Sequence, residues 1–137
     1  MKVANYQLDE ILKQVSESPD AGVALKAACD ENQYIKYFIE QACNDVWVNF
    51  DVNEISYTLN DYHRSMAGSR LLSKTTFYIY KEILLNEGLP LKTKRYQTKN
   101  LLEMLYKGEA LILLAILQKN LPELYPNITH EIMVASV

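Results

Sequence analysis

Apolar residues recur along the chain at helical spacing, in stretches separated by short polar breaks. Tyr6, Leu8, Ile11, Leu12 and Val15 form the first stripe, which predicts a helix over residues 5–17. Asn5 is its expected N-cap, with Asp9 and Glu10 near the positive end of the helix dipole. Ser18-Pro19-Asp20 ends it, because proline disfavours helical backbone at the residue before it. A second helix is expected over 20–29, with a small face of Ala21, Ala24, Ala27 and Ala28. A third spans 32–43, with Ile35, Phe38, Ile39 and Ala42 inward.

The period then changes. Val46, Val48, Phe50 and Val52 share one parity, with Trp47, Asn49 and Asp51 on the other. Alternation with β-branched and aromatic residues predicts extended chain. Residues 45–58 are therefore expected as a hairpin or as a long ordered loop packed by Trp47 and Phe50. A connector over 61–68 leads to a fourth helix over 69–86, where Leu72, Thr76, Ile79, Tyr80, Ile83 and Leu84 repeat at three and four. Tyr78 and Tyr80 fall on different sides of it. Gly88 suits a left-handed cap and Pro90 follows. A fifth helix over 93–106 and a sixth over 109–120 flank Gly108, expected as a break or cap. Turns follow at Asn120-Leu121-Pro122 and Tyr125-Pro126. Thr129 is the expected N-cap of a last short helix.

Leu101–Leu117 is the most apolar part of the chain. Ala110 to Leu117 is eight apolar residues without a break, far short of the ~18 residues a membrane span needs. It is therefore expected to be the buried centre of the molecule. The fold class is mainly α: one domain over 1–137, an irregular bundle of six or seven short helices with one extended or hairpin-like segment near 45–58.

Composition narrows the chemistry. The net charge of −3 demands neither nucleic acid nor an anionic membrane. Its distribution is uneven: four Lys/Arg against ten Asp/Glu over 1–60, nine against four over 61–107, one against three thereafter. Cys29 and Cys43 belong to no CxxC pair, and His63 and His130 are distant from both in sequence. Two buried, reduced, unpaired thiols and no metal site are expected. Met1–Gln7 has no apolar signal core, so a cytoplasmic location is expected. No GxSxG, GxGxxG or GxxxxGK motif occurs. The carboxylate pairs Asp9-Glu10, Asp30-Glu31 and Asp51/Glu54 suit caps and turns better than acid–base work across a cleft. No catalytic residue, cofactor or metal is assigned. The binding segment is Lys92, Lys94, Arg95, Tyr96 and Lys99, with four cations and an aromatic ring in eight residues. It is expected to be exposed and to face a polyanion or a protein partner.

The second half of the chain resembles a known family. Its marks are Tyr80-Lys81-Glu82, Leu101-Leu102-Glu103-Met104-Leu105, Glu109-Ala110, Leu113-Leu114-Ala115-Ile116 and Tyr125-Pro126-Asn127-Ile128-Thr129. They resemble small proteins of myovirus-type tailed phages of marine bacteria, notably cyanobacteria, over residues 69–135. Those proteins often carry a proline-rich apolar segment before the first matched helix, whereas Ile55-Ser56-Tyr57 has no proline. The resemblance implies a phage origin and no chemistry, with the host cytoplasm as location. The function expected is non-enzymatic and works through contacts with a protein partner, which is a second copy or a host or phage protein. The alternatives are a nucleic-acid accessory factor using residues 92–99 and an enzyme whose site carries no motif.

Overall fold

The structure, a computed structural model, describes residues 7–59 and 70–137. The expected Asn5 cap, the 61–68 connector and His63 lie outside the described residues. The elements are α1 (Leu8–Glu17), α2 (Ala21–Glu31), α3 (Gln33–Cys43), a 3-10 turn (Val52–Glu54), α4 (Lys74–Tyr78) continuing as a π-helical turn (Ile79–Leu84), α5 (Leu91–Met104), α6 (Lys107–Gln118), α7 (Leu121–Leu124) and α8 (His130–Ser136). The fold is mainly α, and no strand occurs among the described residues.

Short polar side chains start four of the eight α-helices among the described residues by accepting free backbone N–H groups. Asp20 accepts from Val23 N, Asn32 from Tyr34 N and Ile35 N, Ser73 from Thr76 N and Thr129 from Ile132 N. The apolar run lies at the centre as expected. α6 packs against α1, α3, α5, α7 and the 3-10 turn, and Ala110, Ile112, Leu113 and Ile116 are buried. It is not buried all round: Leu111 and Leu114 are half-exposed. α8 closes the molecule against α2 and α3.

Two local expectations, both at glycines, are corrected. The chain breaks at Leu105 and Tyr106, which are extended, and Gly108 sits inside the first turn of α6. The Tyr106 ring lies over Gly108, where a Cβ would come within 2.8 Å of Cε2, so glycine is there for a close approach rather than for a break. Gly88 has no left-handed backbone; the Asn86 side chain accepts its N–H instead. The left-handed residue is Lys119, with φ 58° and ψ 36°. Residues 45–58 form an irregular extended segment around the 3-10 turn.

Tyr80 is buried and Tyr78 exposed, on different sides as the spacing predicts. The helix widens there, with Leu85 N donating to Tyr80 O five residues back at 3.1 Å. Tyr80 and Phe77 meet Tyr34, Tyr37 and Phe38 of α3 in an edge-to-face aromatic cluster, with centroids 4.7–6.0 Å apart, a favoured ring geometry.

Candidate functional site

The segment 92–99 does not present one basic face. In a helix, residues four apart share a side and neighbours do not. Lys94 therefore faces inward with Thr98, Leu101 and Leu102, and is fully buried at 0 % exposure. Its ammonium reaches the rim, where it donates to Asn49 Oδ1 at 2.6 Å. This corrects the expectation of an exposed segment: the (CH2)4 stem fills the core and only the nitrogen finds a polar atom. Arg95 is half-buried and bridges to Glu54 across 2.9 Å. Lys92, Tyr96 and Lys99 remain exposed on the outer side of α5, Tyr96 at 62 %.

The other sequence candidates do not converge. Cys29 is buried and unpaired, and burial pushes its thiol up to about 11. Cys43 is half-buried, also raised mainly by burial, and its thiol donates to Glu40 O. His130 is exposed at the start of α8. A protonated buried thiol is a poor nucleophile. Among the described residues, no group of three metal-ligating side chains forms, and no helix is long and apolar enough to cross a membrane.

The feature that spacing alone did not single out is a cleft at the C-terminal ends of α3 and α6. It encloses about 380 Å³. Trp47, Val48, Phe50 and Val52 line one side and Leu117, Gln118 and Asn120 the other. Trp47 is 55 % exposed. The alternation seen in the sequence explains why. Phe50 and Val52 turn toward the core, and Trp47, Asn49 and Asp51 share the outward parity. A signal for the exposed tryptophan was thus present in its phase.

Lys119 fixes that tryptophan. α6 ends in a Schellman motif, with Lys119 N donating to Ile116 O at 3.2 Å and Asn120 N to Ala115 O at 2.9 Å. Its left-handed residue is usually glycine. Lys119 accepts the backbone cost and sends its ammonium across to the end of α3. Nζ donates to Gln41 O and, at 2.9 Å, to Asn44 Oδ1. It also stands 5.6 Å from the centroid of the Trp47 ring, within cation–π range. One side chain thus caps the negative end of α3, ties α6 to α3 and holds the ring. Burial lowers the Lys119 pKa, and Cys43 and Asp45 oppose the shift.

No protein-family model, curated protein or solved structure matches the chain. The functional reading therefore rests on geometry.

Proposed function

We propose that this protein is a non-enzymatic helical module that binds another protein through the Trp47 cleft. The observation that carries this is a large aromatic side chain held exposed by a cation, at the mouth of a hollow of mixed lining, where Val48, Phe50, Val52 and Leu117 stand beside polar side chains. Exposing a tryptophan leaves apolar area in water, and tryptophan is among the residues that dominate binding energy when an interface closes over it. The two unpaired cysteines fit a reducing compartment, so we place the protein in a cytoplasm, that of the host if the chain is phage-encoded as its resemblance suggests.

The test is affinity capture from host lysate with and without nuclease. Three baits are compared: the native chain, Trp47→Ala, and Lys92→Ala/Lys99→Ala. The proposal expects a nuclease-resistant partner retained by the native and lysine-substituted baits and lost with Trp47→Ala. A partner lost with the lysines or with nuclease, and indifferent to Trp47, contradicts it.

The nucleic-acid reading is weaker than the sequence suggests. Lys92 and Lys99 are the remaining free-standing cations of the segment. With about two phosphates contacted, the log–log salt slope on duplex DNA would be about −2.

A further inference from the structure

A second hollow of about 170 Å³, lined by Leu111, Leu114, Glu123 and Leu124 among others, meets the Trp47 cleft across Gln118 and Asn120, which border both. The combined trough has a mixed apolar and polar lining and an electrostatic sign. Its lining includes two exposed carboxylates, Asp51 and Glu123, and no cation. The C-terminal end of α6 arrives here, and helix C-termini carry negative partial charge. The neighbouring cation, Lys119, stands 5.6 Å from the Trp47 ring centroid, and its ammonium is engaged by Gln41 O and Asn44 Oδ1 at the end of α3. A polyanion is therefore repelled, and a positively charged occupant is favoured.

The shape narrows the class further. Gln118 and Asn120 place carboxamides between the two hollows; each spends one N–H, on Asn53 Oδ1 and Glu123 Oε2 respectively, and keeps a second. Carboxamides pair with backbone N–H and C=O groups. An extended chain presents such groups, and a helix has already used them.

We propose that the trough takes an extended basic segment of a partner protein, with apolar side chains against Trp47 and Leu114 and arginine or lysine side chains toward Asp51 and Glu123. This rests on the protein-contact reading above and adds the partner's chemistry. The Lys92–Tyr96–Lys99 strip is one basic surface that a second copy of this chain could offer, in a head-to-tail contact that builds rings or open filaments.

Trp47 is the sole tryptophan, so its emission reads the trough directly. The probes are synthetic peptides of equal length with alternating Leu–Arg, Leu–Ser or Leu–Glu. The Leu–Arg peptide should shift Trp47 emission to the blue saturably, with the Leu–Glu peptide at least about tenfold weaker. Asp51→Asn/Glu123→Gln should weaken the Leu–Arg peptide about tenfold, and added salt should act in the same direction. Equal response to Leu–Arg and Leu–Ser overturns the basic-partner proposal and leaves the contact reading standing. No response to any peptide, while Trp47→Ala still loses its captured partner, does the same. If Trp47→Ala loses no partner either, both readings fail. Self-association abolished by Lys92→Ala/Lys99→Ala assigns the trough to a second copy and overturns the proposal.

Discussion

The Glu109 carboxylate, at the start of α6, accepts the backbone N–H of Leu8, the first residue of α1, at 2.9 Å. Its other oxygen accepts from Leu71 N at 3.3 Å. Glu109 is 0 % exposed. Gln7, in the cap position of α1, gives no side-chain cap. A residue 101 positions away therefore does the work of a local cap and places negative charge at the positive end of the helix dipole. The same side chain fixes the chain at Leu71, ahead of α4.

Removing that carboxylate leaves two buried donors without it. Glu109→Ala should lower unfolding stability by about 2–5 kcal/mol, since an unsatisfied buried donor costs about 1–3 kcal/mol. Glu109→Gln keeps one acceptor oxygen and should lose less. Urea unfolding of the three proteins checks the order. Native stability in Glu109→Ala would mean that water replaces the carboxylate.

Lys94 should respond in the opposite sense. Its stem is buried and Asn49, its partner, is exposed to solvent. Lys94→Met keeps the stem's volume and removes the cost of desolvating an ammonium, so its midpoint should stay within about 1 kcal/mol of native or rise. Lys94→Glu buries a charge with no cation facing it and should lose several times as much. The same urea titration compares them, and strong destabilisation by Lys94→Met would show that the bond to Asn49 dominates.

The backbone cost and the ammonium of Lys119 are separable. Lys119→Met keeps a Cβ in the left-handed region and strips Gln41 O and Asn44 of their donor, which should cost about 1–2 kcal/mol. Lys119→Gly also loses the ammonium, but relieves the left-handed penalty and should recover about 1 kcal/mol of that. Trp47 emission should become more accessible to iodide in both. A glycine variant less stable than the methionine one would contradict this assignment.

Alkali should unfold the protein early. Burial raises Cys29 to about 11 from 9.0, and Tyr37 and Tyr125 each to about 12 from 10.0. Tyr80 is raised as well, again mainly by burial. The folded state holds these protons more tightly than the unfolded chain, so their contribution is intact below about pH 9 and falls as pH rises toward about 12. Lys119, lowered by burial, opposes this as a single group. Stability measured by urea should hold to about pH 9 and then fall to about pH 11, and a flat profile throughout would contradict the burial of these side chains.

Most helices were readable from spacing, because its signal is local, and Thr129 caps α8 as expected; the fourth helix, expected over 69–86, instead starts at Lys74 behind the Ser73 cap. What escaped is what depends on distant partners. Glu109 reads as an ordinary charge opening a helix, and only the arrival of Leu8 and Leu71 makes it a buried acceptor. Lys94 sits in a run of cations, and only the inward phase of Leu101 and Leu102 reveals which cation turns in. Gly88 and Gly108 carry the composition of helix ends, yet the left-handed position falls at Lys119, whose ammonium has a use across the gap to α3. The alternation over 46–52 was read as extended chain; its outward member, Trp47, became the site.

The central claim is that Trp47 marks the contact surface, and photo-crosslinking tests it most directly. A benzophenone amino acid is placed at position 47 in one protein and at position 96, on the exposed side of α5, in another. After irradiation in lysate of the cells that express the protein, the variant at 47 should yield a discrete nuclease-resistant protein adduct, and the variant at 96 should yield none. An adduct from position 96 alone, or one that disappears with nuclease, would contradict the claim.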